Sequence, residues 1–314
     1  MRKELGVLSL LVVLCVIVAI LNPQFISAAN IQNTTRLIGI YGIFSIGVGL
    51  VIITGGIDLS VGSILALLGI LLSMALTEWH WPVPLAVGGV LLLGAGLGLI
   101  HGILVTRLRL QAFIVTLCGL LLYRGLARYI AEDATKGFGA AENFPGLRAF
   151  TTGNVFRVPM PLVIMVVVAV VVGVLVHRSV YGRHLFAVGR NEEAARYSGI
   201  QSRNIVTSAY VLSGALAGVA AILLAFYTNS ISPSSHGNFY ELYAIAAAVL
   251  GGCSLRGGAG SILGIVIGTA LLQVLRNLVN LLDIPSSLDF AVMGAVILIG
   301  VIADQILRTG RAPR

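Results

Sequence analysis

Leu5-Gly6-Val7-Leu8-Ser9-Leu10-Leu11-Val12-Val13-Leu14-Cys15-Val16-Ile17-Val18-Ala19-Ile20-Leu21 is an unbroken apolar run closed by Asn22 and Pro23. A bilayer's hydrocarbon core is about 30 Å thick, so a helical span takes roughly 17–25 mostly apolar residues. This run meets the minimum. Ser27, Ala28 and Ala29 downstream have the small-residue character of a signal-peptide cleavage site. The run is longer than an h-region of about 7–15 residues, which favours a retained first span. Comparable runs recur to the end of the chain. They predict about ten spans, near 5–21, 37–54, 60–77, 83–105, 112–131, 161–177, 206–227, 240–252, 261–282 and 289–307.

Composition carries the same message. Hydrophobic residues make up 58% and charged residues only 10% of 314, against about 25% charged in soluble domains. Water would not hold such a chain folded as a monomer. The expected fold is all-α: a single polytopic transmembrane helical bundle over 1–314. The 38 glycines fit it, because helices in lipid associate by close backbone approach. Gly94, Gly98 and Gly102 lie four apart on one helix face. They read either as such a seam or as general glycine richness. Cys15, Cys118 and Cys253 sit in or beside apolar runs with no metal-ligand spacing, and buried single cysteines behave as small hydrophobes.

The net charge of +8 suits nucleic acid in a soluble protein; in a membrane protein it records orientation, because basic residues are retained on the cytoplasmic side. With the N-terminus inside, the cytoplasmic segments hold Arg2, Lys3, Arg107, Arg109, Arg178, Arg183, Arg190, Arg196, Arg203, Arg256, Arg308, Arg311 and Arg314. The outside segments hold Arg36, Lys136, Arg148 and Arg157. This bias puts both termini in the cytoplasm. Tyr240 to Gly252 is short and reads as a half-helix or re-entrant piece. Parity favours a crossing, because otherwise the basic C-terminal tail moves outside. Trp79, His80 and Trp81 read as an interfacial anchor. The outside segment 132–160 reads as a loop or short lid.

The longest inside segment, about 178–205, carries the most information. Asn191 suits an N-cap, Glu192 and Glu193 a first turn, and Gly199 a C′ position. Together they predict a short helix, Glu192 to Ser198. About seven residues do not hold a helix alone, so it packs on this chain or on a partner. A plain surface helix is the alternative. Asp58 is the only acid between the second and third spans. Either it caps the helix that follows, or, with Ser60 and Ser63, it contacts substrate or a gate. Gly251 to Ser261 is glycine-rich but lacks the Gly-Lys-Ser/Thr of a phosphate-binding loop. Gly260-Ser261-Ile262-Leu263 echoes Gly62-Ser63-Ile64-Leu65, as a decayed repeat or by chance. His80, His101, His177, His184 and His236 form no ligand pair at helical spacing, and no catalytic constellation is evident.

Glu193-Ala194-Ala195 followed by Gly199 is similar to the first half of the EAA loop of ATP-driven importers. The longer stretch Val188 to Ile200, Gly56-Ile57-Asp58-Leu59-Ser60-Val61-Gly62-Ser63, Gln111 to Leu117 and Tyr243 to Gly252 resemble permeases of the ribose and related monosaccharide group of ATP-binding cassette importers. The likeness runs in order along nearly the whole chain. One departure is that Val206 to Ser213 lacks the proline of many EAA loops. The resemblance implies a permease subunit, not an enzyme, that moves a monosaccharide or similar small polar solute inward. It implies a bacterial inner (plasma) membrane location and a cytoplasmic ATP-binding subunit docking on Gly189, Asn191, Glu192, Glu193, Ala194, Ala195 and Gly199. That subunit would hold the ATP and magnesium, with no cofactor on this chain. A sugar-binding protein outside and a second permease copy or related subunit complete the set, with no nucleic acid. The rival is a self-sufficient secondary transporter or channel, which would want intramembrane ionisable groups.

Overall fold

The computed structural model describes residues 2–140, 143–285, 288, 291, 294, 295 and 298. Its helices are α1 (Arg2–Leu21), α2 (Ala28–Ile53), α3 (Val61–Thr77), α4 (Val83–Thr106), α5 (Ala112–Ile130), α6 (Pro145–Thr152), α7 (Met160–Arg178), α8 (Val180–Arg190), α9 (Glu192–Tyr197), α10 (Ser202–Thr228), α11 (Tyr240–Leu250) and α12 (Ile262–Leu281). Among the described residues, four two-residue strands are β1 (Lys136–Gly137), β2 (Asn154–Val155), β3 (Val158–Pro159) and β4 (Ser230–Ile231). They form two small antiparallel ladders, β1 with β4 and β2 with β3. The fold is the all-α bundle that the apolar runs predict.

Among the described residues, seven helices are long and apolar enough to cross a membrane: α1, α2, α4, α5, α7, α10 and α12. Two more of the ten expected spans are shorter helices. α3 has 17 residues and α11 has 11, about 25 Å and 16 Å long. The tenth, 289–307, falls almost wholly outside the described residues, and the tail Arg308, Arg311, Arg314 wholly so.

Burial sorts the helices into centre and rim. The most apolar window of α2 is 83% buried and that of α10 78%, against 6% for α1 and 22% for α7. The rim helices leave Ile20, Leu92 and Val171 exposed, a surface for lipid chains rather than water. α4 and α10 make the most extensive pairing. The glycine row of α4 is the reason. A Cβ built on Gly94 would lie 2.5 Å from the Gly214 carbonyl oxygen, and one on Gly102 2.8 Å from the Cα of Thr207. The row is therefore a packing seam.

α2 begins at Ala28, nine residues before the expected span. Asn30, Asn33 and Arg36 disguise this stretch in the sequence. Each has a tertiary partner: Asn277, the Tyr227 hydroxyl and the Thr152 carbonyl respectively. The segment 178–205 is mostly helical, made of α8, α9 and the start of α10. α8 was not expected, because Gly182 and Gly189 weaken its helical signal. Trp79 and Trp81 are partly exposed, with ring centroids 5.5 Å apart, as befits an interfacial pair. At the same end Lys136 pairs with Glu78 at 2.7 Å and the Ser73 hydroxyl donates to the Gly137 carbonyl at 2.9 Å, tying α3 to β1.

Candidate functional site

At the opposite end of the bundle lies α9. Asn191 is extended, and its side-chain oxygen accepts the Ala194 amide at 2.9 Å. Glu192 and Glu193 occupy the first turn, where the helix dipole favours negative charge. Gly199 has φ +84°, and the amides of Gly199 and Ile200 return to the carbonyls of Arg196 and Ala195. That double closure completes a helix stop only glycine or asparagine readily adopts. The helix ends at Tyr197, with Ser198 as its C-cap, one residue earlier than expected. Glu193, Ala194, Arg196 and Tyr197 are exposed, while Ala195 is buried against Val51, Val188, Val206 and Tyr210. The helix is thus seated on α2, α8 and α10 and presents its other faces outward. Glu192 also accepts the Ser202 hydroxyl at 2.9 Å, which fixes α9 to the start of α10.

Gly189 does not share that exposed face. It sits in a three-way backbone junction one turn earlier in the chain. The Ile53 carbonyl at the end of α2 accepts the Gly258 amide at 2.9 Å. A Cβ on Gly189 would run into that carbonyl oxygen and would lie 2.6 Å from the Gly258 nitrogen. A Cβ on Gly257 would lie 2.5 Å from the Gly189 carbonyl oxygen and 2.8 Å from the Cα of Gly55. The end of α8 therefore touches both the link from α2 to α3 and the glycine-rich turn from α11 to α12. The approaches of Gly189 and Gly257 are backbone to backbone.

The first of those links leads to Asp58. Its Oδ1 accepts the Ser60 amide at 3.0 Å and the Ser60 hydroxyl at 2.6 Å. Ser60 is the N-cap residue of α3 but makes no capping bond with its side chain. Asp58 thus holds the amide and the hydroxyl of the residue that opens α3. Ser60 Oγ lies 3.2 Å from His101 Nδ1, and His101 Nε2 lies 2.9 Å from the Tyr123 hydroxyl. One proton assignment satisfies the whole chain: Tyr123 donates to His101, His101 to Ser60, and Ser60 to Asp58. The Tyr210 hydroxyl donates to the Ile57 carbonyl at 3.2 Å, so the unwound backbone is also served. Ser63 donates to the Ser60 carbonyl at 2.7 Å. Asp58, Ser60 and Ser63 are each at most 1% exposed, so in this conformation they line no open path.

A second interrupted segment meets the first. The chain between β4 and α11 descends into the bundle, and Arg124 donates to the carbonyls of Pro233 and His236 at 2.8 and 2.7 Å. Gly237 and the buried Glu241 carboxylate press on Gly62 in the first turn of α3. Two helix N-termini therefore converge beside two acids, an arrangement that offsets their positive dipole ends. His101, Tyr123, Tyr210, Arg124 and Glu241 escaped the sequence reading. Arg124, Glu241 and His101 carried a signal, as ionisable groups inside apolar runs; the tyrosines carried none.

The family model described as branched-chain amino acid transport system / permease component matches residues 30–301. The ribose import permease protein RbsC of Bacillus subtilis is 40% identical over 303 residues, covering 96% of this chain and 93% of the relative. That of Haemophilus influenzae is 37% identical over 299 residues, covering 95% and 92%. The D-allose transport system permease protein AlsC of Escherichia coli is 32% identical over 299 residues, covering 94% and 90%. No solved structure matches the chain. The long family match, on a bundle that seats a capped helix at one end, means that this chain belongs to the family of branched-chain amino acid transport system permease components.

Proposed function

We propose that this chain is the permease subunit of a bacterial ATP-driven importer that carries a monosaccharide or similar small polar solute inward. The observation that carries the reading is the near-full-length identity to ribose import permeases, 37–40% over more than nine-tenths of the chain. The chain is a multi-pass membrane protein of the inner membrane, with a surface rich in apolar side chains to match. In this reading the α9 end and both termini face the cytoplasm, where an ATP-binding subunit with its ATP and magnesium docks on Asn191 to Gly199. A sugar-binding protein delivers solute at the β1 end. A second permease copy or a related subunit completes the membrane path.

The geometry supports a route for coupling. Force on α9 passes through buried Ala195 and the end of α8 to the Gly189 junction. From there it reaches the link that carries Asp58 and Ser60. ATP hydrolysis drives transport only if the partners bind the inward- and outward-facing states with different affinities. The Asp58 network, closed in this conformation, is the element such a shift would rearrange as pathway or gate.

Reconstitution tests the reading. The chain, its ATP-binding partner and the binding protein are placed in proteoliposomes and uptake of labelled monosaccharides is followed. ATP-dependent uptake that needs all components is expected, with no ATP turnover by this chain alone. A second reading, a secondary transporter, draws on the buried Asp58, His101 and Glu241. Uptake driven by an ion gradient without the ATP-binding partner would establish it instead.

A further inference from the structure

Beside α9 lies a groove of about 1060 Å³. One wall is the α4–α5 turn, with Arg107, Arg109 and Leu110; the other is α9, with Glu193 and Arg196, and the start of α10, with Arg203. The groove exceeds the few hundred Å³ that a small solute needs and suits a peptide segment. The helices behind its walls are tied together: α4 and α10 pack through their glycine seam, and the Thr106 and Thr207 hydroxyls lie 3.1 Å apart.

We propose that the ATPase-docking surface extends from α9 across to the α4–α5 turn, and that this groove receives an acidic segment of the ATP-binding subunit. The inference rests on the permease reading above. Four arginines, Arg107, Arg109, Arg196 and Arg203, line the groove against two glutamates. One of those, Glu192, is already engaged by Ser202. The surplus is positive, and complementary charge is what steers and registers a partner. Leu108 and Leu110 flank Arg109 and are 63% and 48% exposed, which gives the partner apolar contact as well. Basic residues at a membrane face also attract anionic lipid headgroups. A concave slot between two walls suits a protein segment better than a flat headgroup layer.

The test uses the full-length permease in nanodiscs, of neutral phosphatidylcholine alone or with added anionic lipid. Binding of the purified ATP-binding subunit is measured at low and high salt. Arg107→Glu, Arg109→Glu and Arg203→Glu are compared with Arg178→Glu, an exposed arginine outside the groove. Each groove reversal is expected to weaken binding tenfold or more at low salt, with the deficit shrinking at high salt and equal in both lipids, while Arg178→Glu binds as native. Native-like binding by all three groove variants would overturn the proposal and confine docking to α9. A deficit seen only with anionic lipid would assign the groove to headgroups and overturn it too. Failure of the native permease to bind the subunit at all would instead sink the permease reading on which it rests.

Discussion

Gly199 separates backbone strain from crowding. Its φ is +84°, yet a Cβ added there would meet nothing within 4 Å. Gly199→Val therefore acts through the backbone alone, at about 1–2 kcal/mol for a left-handed β-branched residue. The docking turn is expected to distort while the spans stay folded, so that transport and substrate-stimulated ATP hydrolysis fall together. Gly199→Asn should restore much of both, because asparagine tolerates the left-handed region. Uptake and ATPase assays on the assembled complex check the pair. Asp58 is a different case. Asp58→Ala removes the acceptor for both the amide and the hydroxyl of Ser60. Leaving buried polar groups unpaired costs about 1–3 kcal/mol each, so a lowered melting temperature in detergent is expected. Asp58→Asn keeps the oxygen acceptor and should lose less. The α9 cap was legible in the sequence because Asn191, Ala194 and Gly199 act over three to five residues. The Asp58 network was not, because His101 stands 41 residues from Ser60 and 22 from Tyr123.

At the scale of elements, two glycine contacts behave differently. Gly98 packs its backbone on that of Tyr210 across the α4–α10 seam. Gly98→Leu forces a side chain into that contact, a kind of overpacking that costs about 1–3 kcal/mol or more. Lower yield and thermal stability of the folded permease are expected in a fluorescence-detected melt. Gly189 packs on the α2–α3 and α11–α12 links and not within a span pair. Gly189→Ala should shift the end of α8 away from Ile53 while leaving α9 capped and exposed. The expected result is a complex that still assembles, by size-exclusion chromatography, but takes up solute at least tenfold more slowly. Native uptake by the Ala variant would remove the junction from the coupling route. The glycine row on α4 could be read from its four-residue spacing alone. The Gly189 junction joins three segments far apart in sequence, and no local pattern announces it.

For the molecule as a whole, orientation is the property that most needs measurement. Cys15, Cys118 and Cys253 are first replaced, since Cys118 is exposed. A cysteine at Ser198, exposed beside α9, is then expected to react with an impermeant reagent only from the cytoplasm. One at Arg157, exposed at the β2–β3 turn, should react only from outside. Reversed labelling would invert the direction of transport. The sequence by itself determined that the chain is a helical membrane protein, because spanning lipid takes long apolar runs whose backbone bonds are satisfied within one segment. It also determined the α9 cap, whose hydrogen bonds are local. Only the tertiary structure decided that α2 starts at Ala28, since its polar first turns are stabilised by Asn277, Tyr227 and Thr152 from elsewhere in the chain. It alone decided that two interrupted segments meet at Gly62 and Gly237 beside two buried acids. A charge inside an apolar run can be seen in a sequence, but the partner that makes its burial tolerable is chosen by packing between segments that the chain keeps far apart.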